Sequence, residues 1–115
     1  MQFKIENTLA LEERLMNVLA KKDKGDLVLS LIGELDDHTS AETRARLDEI
    51  LENAVFDCLI FDMKKLSFMD STGIGVLIGR YKKIKDKHKI YIANPSKNVD
   101  MIFQISGLYN VMPKI

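Results

Sequence analysis

Cysteine occurs once in these 115 residues, so no internal disulfide can form. Its place in the apolar run CLIF, residues 58–61, points to a buried small side chain in a reducing, cytoplasmic compartment. No apolar run approaches the roughly 20 residues that cross a bilayer. The N-terminus, with Lys4 followed by Glu6, Glu12 and Glu13, lacks the basic start and unbroken apolar core of a signal peptide. An excess of either charge is absent too. The 17 basic and 17 acidic side chains cancel, so nothing global draws the chain to nucleic acid or to a membrane surface, and the expected partner is a protein.

Motifs for chemistry are equally scarce. There is no GxxxxGK[ST] phosphate loop and no GxSxG nucleophile elbow. GIGVLIG, residues 73–79, has the spacing GxGxxxG and falls largely inside a helical pattern, which removes a dinucleotide reading. His38 and His88 are far apart and without cysteine partners, so no metal site is expected, and both read as surface residues. The basic block RYKKIKDKHK, residues 80–89, reads as a solvated helix end that complements the negative pole of the helix dipole.

What remains is the composition of one globular domain, 46% hydrophobic and 30% charged, with an ordered alternation of patterns. DLVLSLIG, residues 26–33, reads as a largely buried strand, with Lys24 and Gly25 as the turn that joins it to an antiparallel edge strand over residues 16–22. A rival reading runs one helix from Leu9 to about Lys21. From Thr39 or Ser40 to Asn53 the apolar residues recur at helical spacing. DCLIFD, residues 57–62, is a short apolar run suited to a central parallel strand. In the helix after residue 70, Ile74, Leu77, Ile78, Tyr81 and Ile84 form the apolar stripe, while Gly75 and Gly79, one turn apart, are expected to let the backbone approach the sheet. KIYIAN, residues 89–94, is a further strand. Pro95 and Ser96 start a last helix carrying Val99, Ile102, Phe103 and Ile105, which Gly107 stops before a short strand near Tyr109 to Met112. The fold class is therefore α/β, a mostly parallel sheet of four to five strands with an antiparallel edge strand and helices packed on it.

One stretch stands out: LSFMDSTGIGVLIGRYKKI, residues 66–84, where Asp70 and Ser71 sit at the point where a strand should become a helix. A phosphate there would meet the free amides of the first turn and the positive end of the dipole. This stretch, with GELDDHTSAET at residues 33–43, resembles the STAS family, and within it the anti-sigma factor antagonists of bacterial sporulation. The similarity runs from about Val18 to Met112, leaving residues 1–15 as an N-terminal extension to a domain over residues 16–115.

The resemblance implies a substrate and switch, not a catalyst, and no cofactor of its own. Its partner would be an anti-sigma factor serine kinase that supplies ATP and magnesium. The kinase phosphorylates Ser71, the residue directly after the acid of the Asp-Ser-Thr-Gly motif, in preference to Thr72. Bare protein binds the partner and frees a sigma factor; phosphorylated protein lets go. The partner-binding set is Glu34, Asp36, Asp70, Ser71, Thr72 and Gly73. Asp36 reads otherwise as a solvated turn acid. The resemblance also implies a further C-terminal helix, which residues 1–115 are expected to lack. The surface it would cover is expected to pack against Phe3, Ile5, Leu9, Leu11 and Leu15 of the extension, or to support a weak homodimer. Two alternatives stay open: a regulatory STAS module in another signalling or transport complex, and a phosphoaspartate receiver built on Asp36, Asp37 and Asp62.

Overall fold

In the computed structural model the described residues are 16–115. The extension, with its apolar residues and any packing or pairing they support, lies outside them. Strand β1 (Met16–Asp23) turns into β2 (Asp26–Leu35) through Lys24 and Gly25, at φ 54° and 94°. Positive φ at both central residues suits the right-handed twist of a two-residue hairpin. The two strands pair antiparallel, Asp23 opposite Asp26 through Met16 opposite Gly33. Residues 16–21 are therefore strand, not helix.

β3 (Leu59–Asp62) and β4 (Leu66–Met69) both pair parallel with β2, on the edge away from β1. β3 runs beside Leu27–Ser30 and β4 beside Gly33–Leu35, with a tight turn between them in which Leu66 N–H donates to Met63 O. β5 (Ile90–Ala93) pairs parallel with β3, which leaves β3 central as its continuous apolar run requires. β4 is the strand expected ahead of the helix start at Asp70, but its burial does not alternate: Leu66 and Met69 are buried, Ser67 and Phe68 exposed.

Three helices complete the described fold: α1 (Ser40–Asn53), α2 (Ser71–Ile84) and α3 (Lys97–Ser106). α1 packs on β1 and α2, while α2 and α3 both pack on β4. One sheet face, Leu29, Leu31, Leu35, Leu59, Phe61 and Ile92, is wholly buried. The residues between them, Ser30, Ile32, Glu34, Ile60 and Asp62, are only half-buried. No described helix is long and apolar enough to cross a membrane.

Several side chains lie elsewhere than expected. Cys58 precedes β3 and is half-buried, with its amide donating to Asp26 Oδ1. His88 is half-buried, stacked on Phe56 with ring centroids 4.1 Å apart. Ile105 is exposed. Arg80 is not solvated. Its side chain is buried between α1 and α2, with Nε 2.9 Å from Asp48 Oδ1 in an ion pair that does not align into a hydrogen bond. Burial pulls the Arg80 guanidinium below its ordinary pKa and Arg44 adds to that, while Asp48 opposes both.

The expected final strand is displaced. Leu108–Asn110 forms a 3-10 turn, because the buried pair Leu108 and Met112 has helical rather than alternating spacing. Strand contact comes later: Lys114 bridges parallel to Ile92, with Ile92 N–H donating to Pro113 O and Ile115 N–H to Ile92 O. Asp100 holds this tail, accepting from Tyr109 Oη at 2.5 Å and Lys114 Nζ at 2.9 Å.

The glycines of α2 also exchange roles. A Cβ at Gly75 or Gly79 would meet nothing within 4 Å, whereas one at Gly73 would stand 2.9 Å from Leu35 O, 2.9 Å from Met69 Cγ and 3.0 Å from Leu35 Cγ. The close approach is at Gly73. Gly73→Ala should therefore destabilise the domain by about 1–3 kcal/mol, since the carbonyl of a central strand cannot yield. Gly75→Ala and Gly79→Ala should each stabilise it, by about 0.5–1 kcal/mol, through helix propensity. Urea unfolding of the three variants tests this ordering.

Candidate functional site

Leu35 of β2 pairs with Met69 of β4, so the residues that follow, Asp36 and Asp70, leave the carboxyl ends of parallel strands side by side. Asp70 N–H donates to Leu35 O at 3.3 Å and ties the two ends together. At such ends loops gather function in open α/β sheets.

Asp70 is the N-cap of α2. Its backbone is extended, and its Oδ1 accepts from Thr72 N at 2.9 Å and Gly73 N at 3.2 Å. A carboxylate accepting two amides at the positive end of a helix is a strong cap. The cap thus belongs to Asp70 and not to Ser71, which is the first helical residue and is exposed. Thr72 is half-buried and Gly73 is buried against Leu35 and Met69. The expectation that a phosphate on Ser71 would meet the free amides of the first turn changes accordingly, because Asp70 already holds two of them.

The loop from Asp36 to Thr39 is knitted by its own side chains and tied back to the end of β2. Asp36 Oδ1 accepts from His38 N at 2.9 Å and Thr39 N at 3.2 Å. Thr39 Oγ1 donates to Glu34 O at 2.8 Å and accepts from Asp36 N at 3.1 Å. Asp36 is therefore no solvated turn acid: its side chain is 14% exposed, against 72% for Asp37. Glu34 lies within β2 and half-buried, not in the loop. Asp37, whose Oδ1 is 3.2 Å from His38 Nδ1, is the acid most open to a partner. Asp36, Asp37 and His38 bring their ligating atoms within 4.8 Å, yet Asp36 Oδ1 is already engaged by two amides and the trio is assigned no metal.

The receiver alternative fails on geometry. Asp62 pairs with Ser30, five residues back along β2 from Leu35, which is about 16 Å at strand rise. Its Oδ1 accepts from Lys64 N and Asn94 Nδ2. Asp36, Asp37 and Asp62 do not form one acid pocket.

The STAS domain family model matches residues 17–115. An anti-sigma F factor antagonist of Paenibacillus polymyxa is 37% identical over 78% of this chain and 78% of its own. An anti-sigma-B factor antagonist of Bacillus subtilis (strain 168) is 30% identical over 84% of this chain and 88% of its own. The anti-sigma factor antagonist SpoIIAA, solved in its unphosphorylated form, is similar with a TM-score of 0.69 and 30% identity, covering 86% of this chain and 88% of that one. Its phosphorylated Bacillus form gives 0.62 and 29%, covering 86% and 91%.

The Asp70 cap and the Asp36 turn should both contribute to stability. Removing the carboxylates one at a time, as Asp70→Ala and Asp36→Ala, should cost about 1 kcal/mol each, within the 0.5–2 kcal/mol range of helix caps and turn acceptors. Asp37→Ala should cost almost nothing. Equal midpoints for all three in chemical denaturation would contradict the hydrogen-bond assignment.

Proposed function

The chain belongs to the STAS family, and on that premise we propose that it is an anti-sigma factor antagonist whose bare form binds an anti-sigma factor serine kinase and whose phosphorylated form, modified on Ser71, does not. One observation carries the reading: Ser71 presents an exposed hydroxyl at the first position of α2, while its neighbour Asp70 performs the cap. The hydroxyl is free for transfer chemistry without unfolding the helix start. The names of the relatives and the existence of a phosphorylated form of one neighbour support it.

In this reading the partner brings ATP and magnesium. Ser71 Oγ attacks the γ-phosphorus, the bond to the leaving ADP breaks, and the hydroxyl proton departs to a base or solvent. The product carries about −1.5 to −2 charge at neutral pH. A phosphate at a bare helix start would be neutralised by amides, but Thr72 N and Gly73 N are engaged by Asp70 Oδ1. The new charge therefore stands beside Asp70 and near the Asp36–Asp37 turn, directed outward. It repels the acids and electronegative groups of a surface that had docked against a neutral hydroxyl, with little change in fold.

Incubation with the anti-sigma factor kinase of the same organism and ATP should place one phosphate on Ser71, mapped by mass spectrometry, and none on Ser71→Ala. Ser71→Ala should bind that partner with ATP present as tightly as unmodified protein does without ATP. Ser71→Asp should bind about tenfold more weakly. Phosphate on Thr72, a hydroxylamine-labile acyl phosphate, or equal binding by the two variants would overturn the reading.

A further inference from the structure

The pairing of β4 with β2 contains an irregularity beside the acceptor. Gly33 pairs with Leu66 but Glu34 pairs with Phe68, so Ser67 is an extra residue in β4. Its hydroxyl donates to Gly33 O at 3.0 Å and fills the place in the ladder. In a regular strand starting from buried Leu66, Phe68 would return to the core. The bulge delays that return by one residue: Met69 is buried instead and Phe68 is 49% exposed. Cα partners in register share a sheet face, so Phe68 and Glu34 stand together on the half-buried face. Phe68 is three residues from Ser71, at most about 11 Å along the chain. Bulges characteristically re-aim a side chain next to a functional site.

An exposed leucine or isoleucine needs no explanation, and Ile105 and Val55 are more exposed than Phe68. What singles out Phe68 is an aromatic ring turned out by an inserted residue, beside Glu34 and within reach of the acceptor. Aromatic anchors surrounded by polar groups are what dominate binding energy in protein interfaces. We propose that Phe68 is the apolar anchor of the docking surface for the anti-sigma factor, entering an apolar socket whose rim carries basic side chains opposite Glu34 and Asp37. This rests on the reading of the chain as an antagonist. It adds that docking extends from the helix start onto the sheet face, and that charge on Ser71 acts at the border of an apolar contact.

The test titrates the anti-sigma factor with wild type, Phe68→Ala, Phe68→Leu, Val55→Ala and Ser71→Asp. Val55, at the opposite end of the sheet after α1, is the control for loss of an exposed apolar group. Phe68→Ala should bind about 30-fold more weakly than wild type, and Phe68→Leu about three- to fivefold more weakly. Val55→Ala should match wild type. Phosphorylation of Ser71 in Phe68→Ala should show a raised KM at unchanged kcat, as for a residue that docks without touching the reacting atoms. Cross-saturation in the wild-type complex should reach the Phe68 ring from partner methyl groups, which decides the matter even if Phe68→Ala folds poorly. Weaker binding by Ser71→Asp than by wild type, with Phe68→Ala unchanged and no transfer to the ring, would overturn the anchor and leave the antagonist reading in place. No binding by wild type would overturn both.

Discussion

The contact on which the site depends is the carboxylate of Asp70 closing the start of α2. Its own amide is fastened to Leu35 O at the end of β2, and its Oδ1 receives the amides of Thr72 and Gly73. One residue thus terminates a strand, starts a helix and fixes the angle between them. Gly73 completes the joint, since the helix passes so near Leu35 and Met69 that no side chain fits. With the cap supplied by Asp70, Ser71 is relieved of the structural duty that serines at helix starts commonly perform, and its hydroxyl faces solvent.

This arrangement separates side chains that hold the fold from side chains left open to solvent. Asp36 and Asp70 are engaged with backbone amides, whereas Asp37 and Ser71 are exposed on the same end of the sheet. A charge placed on Ser71 would therefore alter a surface whose scaffold is already satisfied. On the flank of α2 away from this end, Arg80 and Lys83 both meet Asp48 of α1, which locks the two helices together.

Much of this was legible in the chain. The hairpin at Lys24–Gly25, the helix from Ser40, the central β3 and the Asp-Ser-Thr-Gly helix start follow from turn chemistry, periodicity and capping, all local properties. What was hidden depends on tertiary register. The strand ahead of Asp70 could be read, but not its bulge, because Leu66-Ser67-Phe68 looks like a regular alternation, and with the bulge went the exposure of Phe68. The burial of Arg80 was masked by its place in a basic run, since pairing with Asp48 joins residues 32 positions apart. Gly75 and Gly79 attracted notice by their spacing, while the glycine that the packing requires is Gly73. Asp36 looked solvated because its acceptance of two amides is invisible to composition.

Two amides at the start of α2, those of Thr72 and Gly73, are already held by Asp70, so a phosphate on Ser71 would be poorly neutralised and would repel. The second ionisation of that phosphate reads this directly. A titration of phosphorylated protein followed by 31P NMR should give a second pKa above the value of about 6 typical of a free phosphomonoester, because Asp70 and the neighbouring acids disfavour the dianion. It should fall toward 6 in Asp70→Asn. A second pKa below 6 in the unmutated protein, with protection of the Thr72 and Gly73 amides dependent on the phosphate, would show that the helix start captures the new charge and would contradict the account.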